Sequence, residues 1–217
     1  MHVHGTSHVL DAPPLPDARP QVTEWLNDPD HLIYTRAIWN VQRALRTGVT
    51  SLRDCGGPRA ITIWLRDAIN QGLRIGPRMW VAGQPVTTTA GHLDFFGQVT
   101  DTRGEVVEAV RRQVQAGADF IKVCAKGGGM RPGRNWRRPQ YPAEELKALV
   151  EDAHQLRRTV AAHTLCTEGM RIVVEVGCDT IEHCAWYSEN GGGDSGCRSR
   201  SRAGGQRSLR VTCDRSG

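Results

Sequence analysis

Two histidines at the start of the chain are of a type and spacing that can bind a metal ion. His2 and His4 are separated by one residue, so on an extended strand both imidazoles project from the same face. Imidazole pairs at this spacing suit a divalent transition metal such as zinc. The pair alone is weak evidence, because a His-x-His sequence at a start also arises by chance or from a tag.

Three later residues could act together with this pair. Lys122, His163 and His183 each lie in or at the end of a short apolar segment typical of a strand. Lys122 stands between two apolar residues and therefore faces opposite to them, where an ammonium group is costly unless it is paired or modified. Each histidine, taken singly, could also be a hydrogen-bonded core or rim residue. Five such residues at the same ends of successive strands favour a shared site.

Alternating helices and strands must position these residues. Strand patterns occupy residues 2–4, 49–53, 78–82, 119–124, 159–163 and 180–183. Helical periodicity covers residues 35–47, 61–69, 106–117, 142–153 and 167–176, and several of these helices end at a glycine. This order predicts a parallel sheet with right-handed crossovers. The pattern leaves open a doubly wound sheet or a (β/α)8 barrel, although no Gly-x-Gly-x-x-Gly follows the first strand.

The composition divides the chain into a body and a tail. Residues 1–187 carry the alternating pattern, and residues 188–217 are rich in Gly, Arg and Ser without helical or strand periodicity. The formal net charge is +5, of which the tail contributes about half, so the body is not a nucleic-acid binder by charge. We expect the tail to be either a disordered basic segment or the product of an out-of-frame reading.

The cysteines and the absence of apolar runs bear on the location of the protein. The seven cysteines form no Cys-x-x-Cys pair, and no signal-peptide pattern precedes them. No run of apolar residues in the sequence is long enough for a transmembrane helix. We therefore expect a cytoplasmic protein with free thiols and no membrane partner.

Five ordered motifs resemble the amidohydrolase superfamily, most closely its imidazolonepropionase-like and prolidase-like members. They are His2-Val-His4, Gly48-Val-Thr-Ser-Leu-Arg-Asp54, Gly117-Ala-Asp-Phe-Ile-Lys-Val123, Val160-Ala-Ala-His163 and Asp179-Thr-Ile-Glu-His183. The resemblance implies a (β/α)8 TIM barrel, here an incomplete one of about six βα units, with one or two divalent metals at the carboxyl ends of its strands. Zinc is the first expectation, with manganese or iron as alternatives.

The resemblance also implies a role for each candidate residue. His2 and His4 would bind the more buried metal, and His163 and His183 the second one. Lys122 looks like the family's lysine that carbon dioxide carboxylates, a change that turns a buried cation into an anionic oxygen ligand. A metal-activated hydroxide would then hydrolyse C–N bonds of amides, cyclic amides or dipeptides.

A loop histidine is the candidate for substrate binding. Thr89-Ala-Gly-His92 resembles a Gly-Gly-His element of the family, so His92 would contact the substrate; a surface histidine is the alternative reading. The aspartate that ends strand eight in the family, a metal ligand and proton shuttle, has no counterpart in a recognisable strand here. The catalytic acid–base residue is therefore unknown, and the sequence looks truncated at both ends relative to the family.

Three functional hypotheses follow from the sequence. The first is a metal-dependent amidohydrolase acting on a small-molecule amide or dipeptide. The second is a catalytically inactive amidohydrolase fragment, and the third is an interaction protein that uses its basic tail. Open sheet edges in an incomplete barrel also predict association into a homo-oligomer.

Overall fold

The computed structural model describes residues 28–126 and 139–183, together with the backbone of two strands at residues 2–3 and 210–213. The chain folds as alternating α-helices and parallel β-strands. Among the helices of the described ranges, none has the length and apolar character needed to cross a bilayer.

Five helices cover the outer side of the strands: α1 (Asp30–Arg46), α2 (Ile61–Asn70), α3 (Arg103–Ala116), α4 (Ala143–Gln155) and α5 (Thr167–Glu175). Their apolar residues recur at helical spacing, as in α1, where Ile33, Ala37 and Val41 are buried. Helix α3 begins with a capping box between Thr102 and Glu105 and ends at a left-handed glycine. These local signals explain why the helices were predictable from sequence.

The strands form two parallel sheets. The first has the order β1 (His2–Val3), β2 (Ser51–Asp54) and β3 (Arg78–Val81). In the second, β5 (Gln98–Val99) lies beside β4 (Val86–Thr87), followed by β6 (Ile121–Cys124), β7 (Val160–His163), β8 (Thr180–His183) and β9 (Arg210–Cys213). A hydrogen bond of 2.8 Å from the N–H of Asp119 to the carbonyl of Val81 joins the two sheets at β3 and β6.

Alternate residues of the strands face two different environments. Ile121, Val123, Val160 and Ala162 pack with apolar residues of α3, α4 and α5 in the larger core cluster. A second cluster packs α1 and α2 against β2 and β3. Residues of the opposite parity face the interior, where Cys55, Ala82, Phe120 and Ala161 form a small cluster of their own. Helices outside and a filled interior are the layers of a barrel, and the predicted incomplete (β/α) barrel is confirmed.

Two aspartates, each just before the amino end of its own strand, repeat the same contact to an earlier strand. The Asp119 carboxylate, just before β6, accepts a hydrogen bond from the N–H of Val81 at 2.9 Å. The Asp179 carboxylate, just before β8, accepts one from the N–H of Val160 at 2.8 Å and contacts His154 Nε2 at 2.7 Å. Each aspartate thus ties the start of its strand to an earlier strand.

The structure contains three short strands that the sequence pattern did not predict. Strands β4 and β5 have two residues each, too few for any periodicity to be recognised. Strand β9 lies in the segment 188–217 and pairs in parallel with β8 over four residues that include the β-branched Val211 and Thr212. Residues 184–209 lie outside the described part, so the boundary at residue 187 and the state of the tail remain predictions.

Candidate active site at the carboxyl ends of the strands

Two histidines predicted as metal ligands lie side by side. His163 ends β7 and His183 ends β8, two neighbouring parallel strands. Their ring centroids are 4.7 Å apart at an interplanar angle of 73°. Because parallel strands end at the same edge of the sheet, the pair sits at the rim where barrel enzymes place their chemistry.

The backbone of His183 is in an unusual conformation. Its φ of +69° lies in the left-handed region, which costs a residue with a Cβ about 1 kcal/mol or more. Such conformations persist only where the surrounding structure holds them, and they cluster at functional sites. The end of β8 is therefore shaped to aim this one side chain.

Lys122 faces the interior, as its neighbours predicted. It lies in β6 opposite Ala161 of β7, and only 1% of its surface is exposed. Its Nζ is buried and has no hydrogen-bond partner within the described residues. A buried ammonium without a partner is strongly disfavoured, so this position suits a neutral or chemically modified amine, or one that meets a ligand.

His92 joins the histidine pair from a loop. The loop between β4 and β5 brings its ring onto that of His163, with centroids 4.2 Å apart and an angle of 24°. Three imidazoles, two from strand ends and one from a loop, thus lie together, with the His92 ring stacked on His163 and the His183 ring edge-on to it. The sequence hypothesis that His92 belongs to the site agrees with this position, while its role as a substrate contact stays a prediction.

Gln140 holds the His92 loop in place and was missed by the sequence reasoning. With its amide oriented to satisfy its neighbours, Gln140 Oε1 accepts a hydrogen bond of 2.8 Å from the His92 N–H. Its Nε2 donates to the carbonyls of Cys124 at 2.7 Å and Lys126 at 2.9 Å. From the other side, Thr87 Oγ1 donates to the His92 carbonyl at 2.7 Å. No local pattern marks Gln140, because its partners are distant in sequence.

The interior thiols near Lys122 are not nucleophiles. Burial raises the pKa of both the Cys55 and the Cys124 thiol to about 12, even though the nearby Lys122 charge acts in the opposite direction. A thiol with this pKa carries almost no thiolate at neutral pH, and the thiolate is the reactive form. The burial of these two thiols therefore argues against cysteine-based catalysis by them.

The predicted ligands on β1 are described only in part. The backbone of His2 pairs with that of Arg53 in β2, while its side chain and the whole of His4 lie outside the described residues. Within residues 28–126 and 139–183, no three His, Cys, Asp or Glu side chains are grouped to hold a metal ion. Those ranges supply two of the predicted ligands as imidazoles, and Lys122 as a third.

Comparison with known proteins now identifies the family. The model of the amidohydrolase family matches residues 1–192. The chain belongs to the amidohydrolase family. The relationship predicted from the five motifs is therefore confirmed.

A curated relative and several solved structures illustrate the similarity. The chain is 34% identical to ochratoxinase of Aspergillus niger over 179 residues, covering 71% of this chain and 36% of that protein. The crystal structure of that ochratoxinase superposes with a TM-score of 0.72 at 28% identity, covering 87% of this chain and 47% of that one.

Two solved peptidases resemble the chain to a similar degree. A Xaa-Pro dipeptidase with bound methionine in its active site gives a TM-score of 0.71 at 30% identity, covering 85% of this chain and 47% of that chain. A prolidase complexed with N-methylphosphonate-L-proline gives 0.74 at 28% identity, covering 87% and 48%. The chain thus spans about a third of the length of this ochratoxinase and about half of each of these solved chains.

The described residues supply part of a donor set for the divalent metal that this superfamily generally uses. The adjacent imidazoles of His163 and His183 are ordinary ligands for zinc and its neighbours. Within residues 28–126 and 139–183, the buried Nζ of Lys122 finds no hydrogen-bond acceptor, which a buried amine requires. A metal site at this edge would use the imidazoles and remove the lysine's burial cost if the amine became an anionic ligand.

Proposed function

We propose that this chain forms the metal-binding part of an amidohydrolase that cleaves C–N bonds in small amides, cyclic amides or dipeptides. The observation that carries the proposal is the group formed by the His92, His163 and His183 rings at the carboxyl ends of the strands, together with the buried Lys122 of β6. Membership of the amidohydrolase family agrees with this chemistry. Dipeptides are the first substrates to test, because two structural relatives are a Xaa-Pro dipeptidase and a prolidase.

In this proposal, the ligands are His2, His4, Lys122, His163 and His183, which would hold one or two divalent ions, with zinc preferred over manganese or iron. A bound ion acidifies a water molecule and polarises the scissile carbonyl. Carboxylation of Lys122 Nζ in its neutral form by carbon dioxide would release one proton and give a carbamate, whose two oxygens share a single negative charge and would replace the buried amine as ligands. Carboxylate oxygens and imidazole nitrogens together are a common donor set for zinc.

His92 has a different role in the proposal. Its ring lies over His163, and its backbone is fixed on both sides by Thr87 and Gln140. A neutral imidazole held in this way can donate a hydrogen bond to the substrate carbonyl or accept one from the amide nitrogen. It would orient the substrate rather than bind the metal.

The first experiment measures metal binding and hydrolysis by the full 217-residue chain. The chain is loaded with Zn²⁺, Mn²⁺ or Fe²⁺ in the presence of bicarbonate, its metal content is measured, and release of free amino acid is followed with a panel of dipeptides. We expect H163N, H183N and K122A each to lower metal affinity at least about tenfold. H31N, which alters an exposed histidine of α1, is the matched control and should bind like wild type.

Different results would contradict different parts of the proposal. Less than about 0.2 equivalents of metal bound by wild type would contradict a metal site. Metal binding without hydrolysis of any amide would instead favour the second hypothesis, a chain that binds metal but is catalytically inactive. That hypothesis is kept because the chain spans less than half of each of these relatives.

A cytoplasmic location is a further part of the proposal. Cys55, Cys124, Cys166 and Cys178 are buried free thiols. Free thiols are typical of proteins in a reducing compartment.

A further inference from the structure

An ion pair crosses the barrel interior close to the candidate site. Arg53 of β2 donates from Nη2 to Glu182 Oε1 of β8, and from Nη1 to Thr180 Oγ1 at 3.1 Å. The Glu182 side chain is fully buried, and that of Arg53 is 25% exposed. The guanidinium carbon also lies 5.2 Å from the centre of the Phe120 ring, on the inner face.

The strand register places this ion pair at the level of the predicted ligands. Arg53 is the register partner of His2 in β1, and Glu182 is the register partner of His163 in β7. Glu182 also directly precedes His183 in the chain. Since β2 and β8 belong to different sheets, the pair connects the half of the site on β1 and β2 with the half on β7 and β8.

The energetic cost of breaking this ion pair favours a role in positioning the residues next to it. A fully buried carboxylate needs a partner, and losing that partner is typically far more costly than losing an exposed ion pair. The Glu182 side chain therefore has little freedom to move away from Arg53. Its backbone continues directly into the left-handed conformation of His183, which must be held by its surroundings.

The charge of the pair matters for a cation as well. An uncompensated guanidinium at this level would repel a divalent ion, whereas the Glu182 carboxylate neutralises it. The pair thus provides a neutral interior and a fixed position for the end of β8.

We propose that Arg53 and Glu182 are positioning residues that fix His183 relative to the strand bearing His2, so that histidines from the two sheets can bind the same divalent metal centre. The proposal rests on the proposed function. It assigns to two residues outside the ligand set a measurable share of the metal affinity.

The test compares zinc affinity and thermal stability in four variants of the full chain. Titration calorimetry with Zn²⁺ alone, and the absorption spectrum of the Co²⁺-loaded protein, are recorded for E182Q, R53Q, R53K and the double variant R53Q/E182Q. We expect E182Q and R53Q each to weaken zinc binding about tenfold, because partners that orient metal ligands have effects of this size. The zinc affinity of the double variant should be no lower than that of the single variant that binds zinc more weakly, because both substitutions break the same interaction.

A matched control separates an effect on the position of His183 from a general effect on the stability of the fold. D119N weakens another ion pair, that of Asp119 with Arg66, which also supports the contact between the two sheets but lies at the amino end of β6. It should lower the melting temperature and leave zinc affinity within about twofold of wild type. R53K, which keeps the charge but loses the fork of two N–H donors, should bind zinc with an affinity between those of R53Q and wild type.

Two outcomes would overturn the inference, and they differ from failure of the proposed function. Wild-type zinc affinity and an unchanged Co²⁺ spectrum in R53Q, with a reduced melting temperature, would show that the pair is only a brace. An R53K variant no better than R53Q would contradict the dependence on a cation at this position. If E182Q does not fold, R53Q and R53K still decide the question. If wild type itself binds no zinc, the proposed function fails as well.

Discussion

Substitution of Gly91 by alanine tests the placement of His92. A Cβ at Gly91 would overlap the side-chain amide of Gln140 and lie 2.5 Å from Thr87 Oγ1 and 2.8 Å from the carbonyl oxygen of Thr88. Gly91 is not among the glycines with positive φ, so the cost of G91A is steric. All three neighbours belong to the hydrogen-bonded network that surrounds the His92 loop.

The expected loss of activity follows from the distance between the added Cβ and the carbonyl oxygen of Thr88, which as a backbone atom cannot rotate away. Relief from 2.8 Å to an ordinary separation of 3.4 Å requires a movement of about 0.6 Å of the loop or of Thr88. A misplacement of 1 Å can cost about a hundredfold in rate, so about 0.6 Å predicts roughly a tenfold loss in kcat/KM. The His92 N–H should also exchange with solvent faster, since its bond to Gln140 is disturbed.

Two assays check this prediction, of which only one depends on turnover. The first is kcat/KM for dipeptide hydrolysis by metal-loaded G91A, with zinc affinity measured in parallel and expected to stay near wild type. The second is hydrogen exchange at the His92 amide.

The control for both assays is G104A in the first turn of α3, where an added Cβ has no neighbour within 4 Å. It should leave kcat/KM and the His92 amide unchanged and stabilise the chain by roughly 0.5–1 kcal/mol. Wild-type exchange at His92 and wild-type kcat/KM in G91A would refute the reasoning, because the loop would then tolerate the methyl group.

Two further predictions concern stability and reactivity. D179A removes the acceptor for the Val160 N–H and the partner of His154, so we expect a loss of about 2 kcal/mol in the free energy of unfolding by urea. The control E108A breaks the exposed ion pair of Glu108 with Arg112 and should change this free energy little. Equal effects of the two substitutions would contradict a special role for Asp179. Burial raises the pKa of the Cys178 thiol to about 12, so iodoacetamide at pH 8 should alkylate Cys178 in urea but not in the native chain, as peptide mass spectrometry can measure. Rapid native labelling would show that this core opens.

Local patterns predicted the elements, and the ends of those elements located the candidate residues. The apolar positions Ala37 and Val41 predicted one face of α1, although the helix begins at Asp30, five residues earlier than the periodicity indicated, and also buries Ile33. Apolar neighbours on both sides of Lys122 were enough to predict that its side chain faces inward. These inferences worked because periods of 3.6 and 2 residues are local properties of the chain.

Contacts between distant residues could not be predicted in the same way. Arg53 and Glu182 are 129 residues apart, and each has the pattern of an ordinary polar strand residue. Gln140 meets His92 only because the barrel brings the loops after β4 and β6 together. Both depend on which strands lie opposite each other, which the register of the whole barrel determines and no short window of sequence contains.

The repeated aspartate contact has a consequence for how this chain assembles. The carboxylates of Asp119 and Asp179 bond to strand residues only 38 and 19 positions earlier in the chain. Each new strand can therefore be secured to the part already made as soon as it emerges during synthesis, without waiting for a distant partner. Because both aspartates lie at the amino ends of their own strands, whereas His163 and His183 lie at carboxyl ends, assembly and chemistry can change independently in evolution.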